Sequence, residues 1–567
     1  MKKQKRPVTK AAEQPAPAAV SWLPPWWTWL IGLGSLFLVF EAYGPALHSA
    51  FVLDDVYLPY ADVDAPRLHL TDWLRYPRPL LMFSYWLNYQ SGAEDPHVYH
   101  TTNVLLHFLV STVVLLIAWR LLEWVGVSGR MRTALAVFAG GLFLLHPLQT
   151  ESVAYVASRS EVLSVLFYYS AFAVFIYSNR DRMSWLRAIS IVVLFGAAAA
   201  TKEHTLTLPV LILLTDFFWH RGGMRKNAVL YGLLAVACAA GGVVVGKVLF
   251  GANTAGFNLK DLSPVSYFFT QCRVVWIYVR MFFLPYGQNV DPDVALSTGP
   301  APAAIFGLIA MLAVAVAAWV YRKRWPLASF GVFVFLLLIA PTSSVIPIRD
   351  VLAERRVYLP FLGLILIVLE PLRRLRFEQA VGASAAVLVA CTVLTYQRSD
   401  VWSTPLNLWQ DSVAKSPGKV RPRFQLAFAQ FRSGDCAAAV KNFDAASRLA
   451  PPDYLLLVDW ANALDCAGRE TDAIGAFARA IELNGNRPEA YVGLSAIYGK
   501  QRRAAEALNV LARAEAADPG VGQIYLNRGG VYEILGNYAG AIAEYRRAAT
   551  IDTSNRAARE ALKRLGQ

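Results

Sequence analysis

Residues 301–341, APAAIFGLIAMLAVAVAAWVYRKRWPLASFGVFVFLLLIAP, decide the fold. Two apolar runs, 301–320 and 327–341, flank the basic turn Arg322-Lys323-Arg324. Each run is of the order needed to cross about 30 Å of hydrocarbon at about 1.5 Å per helical residue. Apolar helix, Lys/Arg turn, apolar helix is a membrane hairpin whose turn faces the cytoplasm by the positive-inside rule.

The same kind of run recurs at 26–43, 101–122, 133–149, 161–178, 185–201, 204–219, 228–250, 357–371 and 379–397, about eleven predicted spans in all. The stretch 264–284 is apolar too, but Arg273 and Arg280 interrupt it, so a helix lying in or dipping into the interface suits it better. The other basic clusters are Lys2–Lys10, Arg130 with Arg132, Arg180 with Arg182 and Arg187, Arg221–Lys226, and Arg373–Arg376. All fall on one side of this topology, which places the N-terminus in the cytoplasm and, with an odd number of spans, residue 400 onward outside. The first run lacks a convincing small-residue cleavage site and is read as an uncleaved anchor.

Composition agrees. Of 567 residues, 56% are hydrophobic and only 17% charged, too apolar for an ordinary soluble protein. The net charge of +14 sits in the short clusters between apolar runs rather than along one soluble face, which argues against nucleic acid as a partner. Five cysteines without CxxC or Cys/His spacing support neither a zinc site nor a dense disulfide scaffold.

After residue 400 the chain turns Ala-rich and charged, and a 34-residue period holds over four units: Ala427, Ala461, Ser495, Gly529; Ala439, Ala473, Ala507, Ala541; Phe443, Phe477, Leu511, Tyr545; Ala446, Ala480, Ala514, Ala548. Small residues let paired helices approach, the large one fills the gap, and Gly434, Gly468 and Gly536 supply turns. This is the tetratricopeptide (TPR) signature. The predicted organisation is a basic cytoplasmic tail (1–25), a membrane domain (26–400) and a TPR domain (401–567), the last made of a half repeat (401–419) carrying Trp409 and Ser412, four repeats (420–555) and a capping helix (556–567). The fold class is all-α, a polytopic helical bundle followed by an α-solenoid. The array either braces the membrane domain or offers a concave groove to an extended chain, which Arg421, Phe424, Phe428, Phe431, Asn462, Asp465 and Glu533 would face. Cys436 and Cys466 fall near one end of neighbouring antiparallel helices; packing is the simpler reading, and a disulfide is sterically open to them.

The topology collects the unusual polar residues on the outer side: Asp54, Asp55, Arg75, Arg78, Glu151, Arg159, Glu161, Lys202, Glu203, His204, Arg349, Asp350, Glu354, Arg355 and Arg356. Ionisable groups at span ends are costly unless paired or facing a water-filled cavity. Guanidinium and ammonium groups bind phosphate oxygens, and a carboxylate accepts a proton from an incoming hydroxyl, so the set suits a phosphate-bearing lipid. Each cluster also has a structural reading: a solvated cap for Asp54-Asp55, a salt-bridge corner for His146 to Glu161, a mutual Lys202–Glu203 pair, and interfacial anchoring for Arg355 and Tyr358.

In this order, Phe51-Val52-Leu53-Asp54-Asp55, Arg78-Pro79-Leu80, Asn103 with His107, His146-Pro147 with Thr150-Glu151 and Arg159, Lys202-Glu203, Ala353-Glu354-Arg355 with Tyr358-Leu359-Pro360, and Trp402 with Leu408-Trp409 resemble the transmembrane and tetratricopeptide-containing O-mannosyltransferases of the GT-C superfamily. The resemblance covers nearly the whole chain. It implies an inverting membrane glycosyltransferase that moves a sugar from a polyprenyl-phosphate donor to an acceptor hydroxyl, and with the topology above the expectation is transfer to Ser/Thr hydroxyls of a protein at the periplasmic face of a bacterial inner membrane. Asp55, or failing that Asp54, is the expected catalytic acid. Arg355, Lys202 and Arg159 are the expected carrier-phosphate ligands, with Glu151, Glu203, His146, Glu354, Arg78 and Tyr358 in support, and Phe424, Phe428, Phe431 and Asn462 form the acceptor groove. A divalent metal at Asp54-Asp55 has no supporting ligand spacing. His204 and Gln149 depart from the family pattern, where an amide and a second His are expected, and the sugar stays open. The alternatives are a GT-C enzyme acting on a glycolipid or polysaccharide while its repeats recruit a partner, and a non-enzymatic membrane scaffold.

Overall fold

The computed structural model describes residues 25–62, 65–178, 183–219, 227–251, 255–257, 259 and 262–567. The predicted tail 1–25 lies almost wholly outside them, as do the basic clusters Lys2–Lys10, Arg180 with Arg182, and Arg221–Lys226. The described chain is helical, with one isolated antiparallel bridge between Ala255 and Ile348. Helix starts follow local chemistry. Pro79, Pro96, Pro264, Pro302, Pro326 and Pro405 open helices where no N–H partner is needed. Asp95, Ser263 and Thr404 cap theirs by accepting the N–H of His97, Ser266 and Asn407 at 3.0, 3.1 and 3.1 Å.

Among the described residues, five helices are long and apolar enough to cross a bilayer: Trp29–Ala46, Pro96–Trp124, Val156–Ile176, Pro302–Val320 and Phe377–Val401. Gly129–Leu145 with Pro147–Ala154 makes a sixth if that pair, bent by 47°, is one span. Other predicted spans form shorter apolar helices, such as Trp185–Ala199, Pro326–Ile339 and Phe361–Leu372. The chain is a membrane protein. Pro264–Phe283, left out of the predicted spans, is one helix that buries Tyr267, Gln271, Val274, Tyr278 and Met281 on one side. Its Arg273 caps Ala295 and Ser297 at 3.2 and 3.3 Å. One large apolar core runs through these helices. At one close crossing, Gly331 against Gly363, a Cβ on either would meet the other's carbonyl oxygen at 2.4 or 2.6 Å; only glycine lets the two backbones touch.

The repeat register is visible as packing. Ala427, Ala461, Ala439, Ala473, Ala507, Ala541, Ala446, Ala480, Ala514 and Ala548 are fully buried, with Phe443, Phe477, Leu511 and Tyr545 filling the gaps between paired helices. Tyr545 is the largest filler, and opposite it stands Gly529, where a Cβ would lie 2.5 Å from the tyrosine ring. Gly434, Gly468 and Gly536 close the A helices at φ +87°, +75° and +73°, while in the third repeat Arg502 takes the same turn at φ 57°. Cys436 and Cys466 form a disulfide with Cα atoms 5.8 Å apart, clamping the first repeat to the second.

A third apolar cluster joins the two halves: Val52 from the first loop, Ala154 and Tyr155 from the bent corner, Val290, and Trp402, Leu408, Trp409 and Leu426 at the start of the array. Tyr155 stacks on Trp402 at 6.3 Å.

Candidate active site

Four stretches distant in sequence meet on the loop face: residues 51–60, the corner 147–161, the connection 200–207 and the loop 340–357. Leu53 turns at φ 55°, a conformation that costs a non-glycine residue roughly 1–3 kcal/mol, and starts a short 3-10 turn over Leu53–Tyr57. The turn splits the two aspartates. Asp55 points inward, fully buried, and accepts the N–H of Val52 at 3.2 Å and of Ala157 at 2.7 Å. Burial pushes its carboxyl up to about 7, against the pull of these backbone donors. Asp54 points outward: its carboxylate is exposed and only its N–H is engaged, donating to the Tyr155 hydroxyl at 3.0 Å.

Three ion pairs lie on the same loop face. Glu151, 1% exposed, receives the Arg355 guanidinium and, at 3.3 Å, the Arg355 backbone N–H. Arg355 reaches Asp350 at 3.3 Å with its other terminal nitrogen and lies 5.9 Å from the Tyr155 ring centre, so Tyr155 separates Asp54 from Arg355. Lys202 pairs with Glu161 and donates to Ser160 Oγ at 3.3 Å. Burial pushes its ammonium down from the usual value, and Glu161 opposes this. Arg78 forks onto Glu203, Nε to Oε1 at 3.2 Å and Nη2 to Oε2 at 2.9 Å. Burial works to raise the Glu203 carboxyl, but the guanidinium holds it below the usual range. Arg78 sits at φ 64° immediately before Pro79, so two of the four non-glycine left-handed residues among the described ones, Leu53 and Arg78, belong to this site. The side chains of Arg355, Lys202 and Arg78 remain 23, 17 and 36% exposed, enough to offer donors to an anion.

Other predicted site residues have inward duties. Arg159 is completely buried, stacked on Tyr85 at 4.5 Å and bonded to Asn103 Oδ1, Ser84 O and Tyr99 O at 2.7, 3.2 and 3.0 Å. With its fork occupied by protein acceptors it is a strut, and the expectation that it holds carrier phosphate is corrected here. His146 accepts from Leu148 N–H at 3.1 Å and binds Phe282 O at 2.9 Å through its other nitrogen, so it fixes the bend. Tyr358 bonds His107 at 2.7 Å inside the bundle. Glu354 is buried on Gln288, the Asn289 N–H and Arg398 at 3.0, 2.7 and 3.5 Å. In the array, Phe424 packs edge-on against Phe443 at 5.8 Å and Phe431 is half-buried, while Phe428 is exposed. Arg421, Asp465 and Glu533 are paired with Asp291, Lys500 and Arg564 rather than left open to a groove; Asn462 is half-buried. The predicted mutual Lys202–Glu203 pair does not form: each has a partner from another segment.

Tyr155, Gln288, Asn289 and Asp291 carry weight that the sequence alone did not reveal. Among the described residues, no three His, Cys, Asp or Glu side chains converge as a metal-ligand set.

Fold and site together define a polytopic helical membrane protein with a tetratricopeptide array seated on its loop face. The tetratricopeptide repeat family model matches residues 492–556. The chain is a relative of the transmembrane and tetratricopeptide-containing protein O-mannosyltransferases. It is 24% identical over 387 residues to a protein O-mannosyl-transferase of Caenorhabditis elegans, covering 66% of this chain and 54% of that one. It is 21% identical over 552 residues to the human protein O-mannosyl-transferase TMTC3, covering 84% of this chain and 58% of that one. It thus spans little more than half the length of these relatives. A thermophilic TPR protein of Thermus thermophilus matches 32% of this chain and 95% of its own, at 16% identity and a TM-score of 0.27.

Proposed function

We propose that the chain is a membrane glycosyltransferase that moves a sugar, with inversion, from a polyprenyl-phosphate donor to Ser/Thr hydroxyls of a protein at the periplasmic face of a bacterial inner membrane. The observation that carries it is the arrangement of the site: Asp54 faces outward on its turn, Tyr155 stands between it and Arg355, and Lys202 and Arg78 add two more partly exposed cations from other segments. The names of the relatives favour a protein acceptor and mannose over a glycolipid or polysaccharide.

In this reading Asp54 is the base and Asp55 holds the turn that presents it. The acceptor hydroxyl gives its proton to Asp54 as its oxygen attacks the anomeric carbon from the face opposite the carrier. The bond from that carbon to the phosphate oxygen breaks, and the electron pair leaves with the carrier phosphate. Arg355 and Lys202, with Arg78 beside them, balance the charge that develops there. Their carboxylate partners keep the cations in place before the donor arrives. The Cys436–Cys466 disulfide supports an oxidising compartment for residues 401–567, in agreement with the positive-inside count.

The test is transfer by the full chain in liposomes, given a polyprenyl-phosphate sugar and Ser/Thr peptides. Wild-type transfer that Asp54→Asn abolishes supports the reading. No transfer to peptides, with labelled glycolipid formed instead, would move the acceptor to lipid. Alkaline phosphatase fused after Gln567 should be active; a silent phosphatase with a fluorescent GFP at that point overturns the periplasmic face.

A further inference from the structure

The seam between the array and the loop face is polar, and its partners form a continuous path. Asp291, 2% exposed, holds Lys419 and, at 2.6 Å, Arg421 Nε. Around it, Asn289 Nδ2 and the Asp293 N–H donate to Ser416 Oγ at 2.8 and 2.9 Å, and Lys415 donates to Gln288 O at 2.7 Å. Arg421 belongs to the first helix of the first full repeat, Val420–Arg432. Its other arm, Nη2, reaches Asp350 Oδ1 at 3.2 Å, while Asp350 Oδ2 receives Arg355 Nη2 at 3.3 Å. Arg355 then closes on Glu151. The segment 350–355 is thereby held at two points along the seam, at Asp350 by Arg421 of the array and at Glu354 by Gln288 and Asn289 of the membrane half.

A guanidinium suits this post because its planar fork can serve two carboxylates at fixed angles, which an ammonium cannot. Asp291 is buried and cannot follow a moving partner, so Arg421 is referenced to the membrane half. Asp350 and Arg355 are partly exposed and depend on that reference for their orientation.

We infer that Arg421 is a positioning residue for the donor site, holding Arg355 in place through Asp350, so that the first tetratricopeptide helix is part of the catalytic unit rather than an appended module. The inference rests on the proposed role of Arg355 in holding the carrier phosphate.

The experiment compares the full chain with Arg421→Gln, Arg421→Lys, Asp350→Asn and the Arg421→Gln/Asp350→Asn double variant in liposomes. Two readings are taken: donor and acceptor KM in the transfer assay, and hydrogen exchange over residues 348–357 without any substrate. Arg421→Gln and Asp350→Asn should each raise the donor KM about three- to ten-fold, the size of one lost half-exposed ionic contact, with the acceptor KM unchanged. The double variant should be no worse than either single one. Arg421→Lys, which keeps a charge on Asp291 but loses the fork, should keep the melting temperature and still raise the donor KM. Exchange over 348–357 should quicken in all four. Unchanged exchange in Arg421→Gln, or effects that multiply in the double variant, overturns the inference. If the wild-type chain transfers nothing while exchange behaves as stated, the positioning stands and the proposed function falls.

Discussion

The charges of the membrane half and those of the repeat array obey different rules. Around the first loop, paired residues lie 41, 125 and 204 positions apart, and the carboxylates of Glu161 and Glu151 are almost fully buried. In the array many pairs are local and wet, as in Arg469–Asp472 or Arg556–Glu560, with both side chains about half exposed or more, and the longer ones, such as Asp465–Lys500 at 35 positions, join neighbouring helices. A local pair decorates a helix that would form without it, whereas a pair spanning 200 residues fixes where separate elements meet. The first kind of charge is a surface property. The second is a site.

Experiments can break or sharpen this contrast, and the largest effect is expected at Asp54, the outward-facing acid of the site. Asp54→Asn should cut transfer by about 10²–10⁴-fold with normal membrane abundance. Asp55→Asn should instead lower the yield of folded protein, because it disturbs the turn bound to Val52 and Ala157; normal abundance with full inactivation would return the base to Asp55. The disulfide is the covalent link between the first two repeats. With its ends 30 positions apart, Cys466→Ser should cost about 3–4 kcal/mol, read as earlier protease cleavage of residues 420–567 in urea. Full thiol labelling of denatured, unreduced wild type would remove the bond. Glu151→Gln should cost about 2–3 kcal/mol in a thermal melt, less than a fully buried pair because Arg355 retains some water. Arg502→Gly should stabilise the array by about 0.5–1 kcal/mol, since glycine takes the left-handed turn without strain. Arg469→Gln should change stability by no more than about 0.5 kcal/mol. A local pair as costly to break as Glu151–Arg355 would erase the distinction.

The array was legible because its signal is repetition: three aligned registers of small residues and one of Phe, Leu or Tyr leave little choice of packing. Gly529 is legible only in hindsight, as the small residue that the oversized Tyr545 demands. The apolar runs were equally plain, yet their lengths in space were not, since several end in short 3-10 turns such as Glu203–Thr207. At the site, which residues gather was readable and which way they face was not. Asp54 and Asp55 differ by one step along a turn whose Leu53 is left-handed, a conformation that no side-chain pattern announces. Arg159 and Arg355 both lie near acids in the sequence, but one is swallowed by backbone carbonyls and the other remains reachable. The seam at Asn289-Val290-Asp291 gave no signal because its partners, Ser416 and Arg421, come from the other half of the chain.

That seam has a consequence for how such a protein can change over generations. The array is fastened to the membrane half at its first repeat, through Asp291 and Asp350, and successive units touch mainly their neighbours. Whole 34-residue blocks inserted between the second repeat and the cap therefore leave the fastening as it is. Duplication can lengthen the arm and alter its reach at little mechanical risk, while any insertion before Arg421 would shear the arm from its bearing.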